Sequence, residues 1–143
     1  MMEKKLNVLR SDLVVFYHKL QSYHWYLKGY HFFDDHEQLE KYYDEIAEAI
    51  DAVAEIMMQL ELKPESTVKG FLAATKIEEA KNREVSSEEV YKAVLSDFKY
   101  LLSEVISVKE GAEKDNNYLG ANLMDDYIDL FSKNIWMARQ VLK

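Results

Sequence analysis

The sequence predicts an all-α fold: a four-helix bundle with a short extra helix in a long crossover between the second and third helices. Three observations predict it. Apolar residues recur at steps of three and four over long stretches, as on the buried face of a helix. Four glycines and one proline in 143 residues leave few of the breaks that a strand-rich fold needs for its turns. One connection, in the middle of the chain, is much longer than the loops that join antiparallel neighbours. With 48% hydrophobic and 13% aromatic residues, the chain suffices for a single domain over residues 1–143 with a developed core.

The first helix carries Leu6, Leu9, Leu13, Phe16, Leu20, His24 and Leu27 on one stripe and ends near Gly29, so His24 faces inward. The segment Gly29 to Asp35 is a connection, with Asp34 or Asp35 as N-cap of a second helix that runs to about Leu62, where Lys63-Pro64 ends it. Its buried stripe is Leu39, Tyr43, Ile46, Ile50, Val53 and Met57; His36, Glu40, Asp44, Glu48, Asp51 and Glu55 share a neighbouring face. The crossover spans Glu65 to about Glu84 and holds a short helix around Val68 to Ala74. Ser86 or Ser87 caps a third helix through about Ala112, with Glu89 completing a capping box. A polar break at Lys114 to Asn117 precedes a fourth helix, roughly Leu119 to Leu142, with Leu123, Tyr127, Leu130, Ile135 and Met137 as its apolar positions. Four helices with a long middle crossover indicate a ferritin-like bundle.

Composition narrows the function classes. The chain has no cysteine, which excludes disulfides, thiolate zinc sites and thiol catalysis. A formal net charge of −8 opposes attraction to nucleic acid and to anionic membranes and suits cations, although a solvated acidic surface is its commoner meaning. The charged N-terminal segment lacks the apolar core of a signal peptide and no stretch reaches the length of a membrane span, so a cytoplasmic protein is expected.

Asp51 and Glu55 are four apart on one helix face and are able to chelate a cation together. His36 lies fifteen residues upstream, roughly 22 Å away at 1.5 Å per residue, too far to share a metal with them. Each signal has an ordinary explanation: a hydrogen-bonded core histidine at 24, a surface ion pair of His36 with Glu40, and a solvated acidic face. Geometry joins them. In an antiparallel hairpin centred near residue 32, residue numbers totalling about 64 lie opposite one another, which sets His24 level with Glu40 and Asp51 and Glu55 near Asp12 and Val8. A two-fold axis crossing the second helix near Ile46 and Ala47 brings one copy's histidines against the other's carboxylates and creates two equivalent sites. Imidazole and carboxylate ligands suit iron(II) and also admit zinc, manganese or cobalt. The intrachain di-iron pattern, a glutamate three residues before a histidine, is absent: Val15, Gln21, Lys28 and Phe33 precede the four histidines by three.

With these residues placed, the chain resembles the Dps-like mini-ferritins, the DNA-binding proteins from starved cells. The resemblance runs through YHWYLKG at Tyr23 to Gly29, FFDDHEQLEKYYDEIAEAIDAVAEI at Phe33 to Ile56 and KNIWMARQ at Lys133 to Gln140. It implies that His24, His36, Asp51 and Glu55 are ferroxidase ligands, with Glu40 a fifth metal ligand and Trp25 an electron donor beside the centre; an aromatic interface anchor is the alternative reading of Trp25. It further implies a hollow dodecamer, built from two-fold dimers, that oxidises iron(II) with hydrogen peroxide or oxygen, stores the iron(III) mineral and protects against oxidative damage, with non-haem iron at one or two positions per site.

Two features depart from the family. Only Met1 to Lys5 precede the first apolar repeat, with Lys4 and Lys5 as basic groups, so DNA binding is not expected. Tyr118 and Asn122 stand where the family's entry pores often carry acids; Asp115, Asp125, Asp126 or Asp129 are the substitutes at hand. The rival readings are a nucleoid protein that shields DNA, and a helical scaffold or surface antigen with a degenerate metal site.

Overall fold

The computed structural model describes residues Met1–Lys143. Four long helices form the bundle: α1 (Met2–Tyr26), α2 (Phe32–Gln59), α4 (Ser87–Lys114) and α5 (Tyr118–Val141), with the short α3 (Val68–Ala74) in the crossover. Two two-residue strands, β1 (Leu27–Lys28) and β2 (Val85–Ser86), pair in parallel, with Leu27 opposite Val85 and Lys28 opposite Ser86. Nothing in the hydrophobic pattern announces this pairing. It ties the end of α1 to the start of α4, so the crossover returns the chain to the end of the bundle it left and α4 runs parallel to α2.

Phe98 of α4 lies at the centre. It is fully buried and meets Phe16 of α1 edge-on at 5.1 Å, Tyr42 of α2 at 5.3 Å and Phe131 of α5 at 5.6 Å, so one ring touches all three other long helices. The first-helix stripe is buried throughout, from Leu6 to Leu27. On α2 the buried apolar residues are Leu39, Tyr42, Ile46, Ala49, Val53, Ile56 and Met57, while Tyr43 and Ile50 are only half-buried. The core-facing line therefore passes through Tyr42 and Ala49, and the expected stripe was rotated by one residue in the middle of the helix. On α5, Met124, Phe131 and Ala138 complete the core with Tyr127 and Ile135, while Met137 is exposed.

Helix ends differ from expectation where backbone conformation decides them. Helix α1 stops at Tyr26 because Leu27 turns into β1, and Gly29 takes φ +133°, a conformation that favours glycine. Helix α2 begins at Phe32, so Asp34 and Asp35 lie inside its first turn, where they favour the positive end of the helix dipole, and His31 occupies the N-cap without a side-chain bond. At its other end Leu62 N–H donates to the Met57 carbonyl and Glu61, at φ +58°, donates to Met58, a Schellman stop ahead of Pro64. Asn116 closes α4 in the same way at φ +56°. Ser86 caps α4 by accepting from Glu89 N–H at 3.3 Å, but no reciprocal bond forms, since the Glu89 carboxylate pairs with Arg83 at 2.8 Å. Asn117 caps α5 through Gly120 N–H.

The α1–α2 register also moves. His24 faces His36, Tyr17 faces Tyr43 and Arg10 faces Ile50, so opposed residue numbers total about 60 rather than 64, because the turn is centred near Tyr30. Asp12 is not opposite the acidic pair. It is fully buried and anchors the crossover: its carboxylate accepts from Thr75 Oγ1 and Lys76 N, each at 2.7 Å, and from the Tyr100 hydroxyl at 2.6 Å. A second buried anchor is the ion contact between Lys19 and Asp97, at 2.8 Å but without hydrogen-bond angles. Burial pushes the Asp97 carboxyl up, against the opposing pull of Lys19. No helix is long and apolar enough to cross a membrane.

Candidate metal centre

His24 leaves the last turn of α1 and His36 the second turn of α2, and the short β1 turn between them brings the two rings face to face, with centroids 3.6 Å apart and planes 12° from parallel. Each ring is held by the other's backbone. His24 Nδ1 lies 2.7 Å from the His36 carbonyl oxygen, and His36 Nδ1 lies 2.8 Å from the His24 carbonyl oxygen. A carbonyl oxygen only accepts, so the network assigns the proton of each ring to Nδ1. In the neutral rings both Nε2 atoms then carry the lone pair, the atom and tautomer that a metal requires.

Neighbours restrict the pair further. Phe32 stacks on His36 at 4.9 Å, and Tyr43 meets His24 edge-on at 5.4 Å. His24 is buried and His36 half-buried, whereas Glu40 is exposed, with its Oε1 3.9 Å from His24 Nε2. His24 thus sits level with His36, and Glu40 comes one turn later. Tyr43 was read from sequence only as part of the buried stripe and Phe32 only as part of the connection, so neither was singled out as a site residue.

Asp51 and Glu55 are exposed, toward the other end of α2. The Arg10 guanidinium feels the Asp51 charge: burial lowers its pKa first, and Asp51 and then Glu65 oppose that. Within one copy no three of the His, Asp and Glu side chains converge closely enough to hold a metal ion. The four expected ligands therefore fall into two half-sites on the same hairpin, one imidazole pair and one carboxylate pair. At the midpoint Ile46 packs wholly inside its own bundle, so Ala47 presents the α2 surface there. Trp25 is 60% exposed and packs edge-on against His18 at 6.0 Å, not against its own chain's histidine pair.

One group beside the site was read only as a cap. Asp35 precedes His36, is buried, and accepts hydrogen bonds from Ser87 Oγ and from the Tyr91 hydroxyl at 3.0 Å. Burial and then the Asp35 carboxylate push the Tyr91 hydroxyl pKa far up. Asp35 and Ser87 were both read as candidate N-caps; in the fold they bond to each other across 52 positions of sequence. A polar residue at a helix start satisfies either role, which is why local spacing did not separate them.

Known proteins share this fold. The chain matches the ferritin-like domain family over residues 3–143. It is 30% identical to the DNA protection during starvation protein of Helicobacter pylori, covering 92% of each chain, and 33% identical to the DNA protection during starvation protein 2 of Bacillus anthracis, covering 96% of this chain and 93% of that one. The crystal structure of antigen TpF1 from Treponema pallidum superposes with a TM-score of 0.97 at 30% identity, over 99% of this chain and 91% of that one. A Dps protein from Vibrio cholerae O1, described as a member of a broad superfamily of ferritin-like diiron-carboxylate proteins, gives 0.96 at 29% identity over 99% and 89%. These likenesses run through every element from α1 to α5, and the chain belongs to the ferritin-like family, within its Dps group.

Proposed function

We propose that this protein is an iron-handling ferroxidase that assembles as a hollow dodecamer and oxidises iron(II) at sites shared between two-fold-related copies. The observation that carries the reading is the reciprocal bonding of His24 and His36, which engages both Nδ1 atoms and leaves two Nε2 lone pairs for a metal. In each site those nitrogens face the Asp51 and Glu55 carboxylates of the neighbouring copy, and Glu40 adds a fifth ligand. Nitrogen and carboxylate donors of this kind retain iron(II) and leave coordination positions open to an oxidant.

Iron is the substrate here, with one or two ions per site. Two iron(II) ions together supply the two electrons that reduce hydrogen peroxide, with two protons, to two waters; a single iron(II) supplies one and releases a hydroxyl radical. Oxygen is the alternative oxidant. The half-buried histidine pair excludes water from one side of the metal, and Asp51 and Glu55 offset the charge that increases on oxidation. The product is confined inside the shell, which protects the cell from oxidative damage. Trp25, whose ring packs against His18, is the electron donor beside the centre; an aromatic anchor at the interface is its alternative role.

Exposed apolar side chains support assembly. Trp25, Val68, Leu72, Tyr118 and Trp136 are each more than half exposed in the single chain, apolar surface that contacts between copies would cover. Iron enters by a route on which Asp115, Asp125, Asp126 or Asp129 replaces the acids missing at Tyr118 and Asn122; Asp125 is already paired with Lys109. The charge of −8 per copy argues against DNA condensation, because an assembly multiplies the repulsion. The reading is tested by following iron(II) oxidation with oxygen and with peroxide in parallel and sizing the loaded particle. Stoichiometric oxidation with the mineral retained in the particle supports it. Rates no greater than those of free iron in buffer contradict it.

A further inference from the structure

We infer that Asp35 is a positioning residue for the histidine pair, acting through a clamp on the first two turns of α4; the inference rests on the metal-centre reading above. Adjacent residues on a helix point about 100° apart. With Asp35 aimed at α4, His36 is aimed at α1, so the two hydroxyls that hold Asp35 also fix how far α2 is rotated about its own axis. Side-chain ends lie about 6 Å from that axis, and a rotation of about 10° displaces His36 Nε2 by about 1 Å. A displacement of that size is enough to spoil a reacting geometry.

The other histidine is referenced to the same helix. Leu27 and Lys28 pair with Val85 and Ser86, and Ser87 follows directly. His24 stands three residues before Leu27. The start of α4 therefore holds α1 through backbone bonds and α2 through the Asp35 carboxylate, one residue from each end of the β2–α4 junction. Packing alone does not call for a buried carboxylate at this point, since apolar contacts join helices as well or better. A carboxylate with two hydroxyl donors supplies what apolar contacts lack, a single angular setting.

The test uses the assembled protein, with cobalt(II) as the probe, read by its visible ligand-field spectrum and by titration. Tyr91→Phe and Ser87→Ala each remove one hydroxyl from Asp35 and change no residue of α1 or α2. Tyr100→Phe is the matched control: it removes a tyrosine hydroxyl from another buried carboxylate, Asp12, in the crossover anchor. Expected are cobalt(II) binding weakened about tenfold and a shifted spectrum in Tyr91→Phe, a smaller effect of the same kind in Ser87→Ala, recovery in Ser87→Thr, and wild-type binding in Tyr100→Phe. Wild-type affinity and spectrum in both Tyr91→Phe and Ser87→Ala overturn the inference, as does equal weakening in Tyr91→Phe and Tyr100→Phe, which reduces the clamp to general stability. Should Tyr91→Phe fail to assemble, Asp35→Asn and the Ser87 pair decide on the same criteria. If the wild type binds no cobalt(II), the metal-centre reading itself fails and the inference falls with it.

Discussion

His24 and His36 each donate a ring N–H to the other's backbone carbonyl, at 2.7 and 2.8 Å, with the rings stacked at 3.6 Å. The arrangement fixes both ring orientations through backbone carbonyls and leaves each Nε2 without a backbone bond. Two histidines that read as unrelated in sequence are in this sense one mutually bonded unit. Removing either ring leaves the other's carbonyl partner unmatched.

His24→Ala and Asp51→Ala are expected to lower peroxide-dependent iron(II) oxidation by tenfold or more while leaving helix content and assembly in place. Asp51 is exposed, and its loss changes little in the fold; the His24 change removes buried contacts at about 1–3 kcal/mol. Stopped-flow oxidation and circular dichroism on the same samples check both halves. Unchanged rates in both variants eliminate the proposed ligands, and loss of assembly in His24→Ala alone assigns that residue to structure.

Phe98→Ala is expected to destabilise the chain by about 3–5 kcal/mol, because the ring that joins all four long helices leaves a cavity at the centre. Asp12→Ala is expected to lose about 2–4 kcal/mol by leaving the Thr75, Lys76 and Tyr100 donors without their acceptor. Urea unfolding measures both. A loss below about 1 kcal/mol in either contradicts the role given to that residue.

The Glu45 carboxyl sits above the ordinary carboxylate range, pushed up by burial, with Asn134 and Lys133 opposing. A raised folded-state value means the native state binds the proton more tightly than the unfolded chain, so ionisation costs stability. That cost is absent below the unfolded value, sets in as pH rises through the window up to the folded value, and persists at neutral pH. Glu45→Gln retains an acceptor for Asn134 Nδ2 and is expected to raise the melting temperature at pH 7 but not at pH 3. The gain stays below about 1 kcal/mol, since the half-exposed group is screened by water. An equal effect at both pH values contradicts the assignment.

Much of this fold was legible because long amphipathic helices write their period into sequence. The α1 stripe, the α3 limits and the crossover came directly from spacing. Three features were not legible, each for a physical reason. The α1–α2 register depends on where the turn is centred, and a shift of two residues at Tyr30 moved His24 from Glu40 to His36. The buried line of α2 wandered between Tyr42 and Tyr43, since adjacent tyrosines satisfy the same periodicity. The Asp35–Ser87 bond and the β1–β2 pairing are long-range contacts with no local signal. As for the site, residue types and spacing pointed to the two half-sites, but the bonding that unites the histidines runs through backbone carbonyls, which carry no residue identity.

DNA binding is expected to be weak at moderate salt and neutral pH, on the charge of −8 per copy. Retardation of linear duplex by metal-free protein, measured over a salt series, checks it. Tight, strongly salt-sensitive retardation contradicts the expectation and favours the nucleoid reading.

The shared site is the central claim, and subunit mixing tests it most directly. One variant lacks His24 and His36; another lacks Asp51 and Glu55. Each assembled alone has every site damaged. In a mixed dimer the intact histidines of one copy face the intact carboxylates of the other, so one of the two sites is whole. Random reassembly of equal amounts makes about half the dimers mixed and restores about a quarter of wild-type sites. The account therefore expects about a quarter of wild-type ferroxidase activity from the mixture, with negligible activity in either parent. No recovery in a mixture shown to have co-assembled contradicts it.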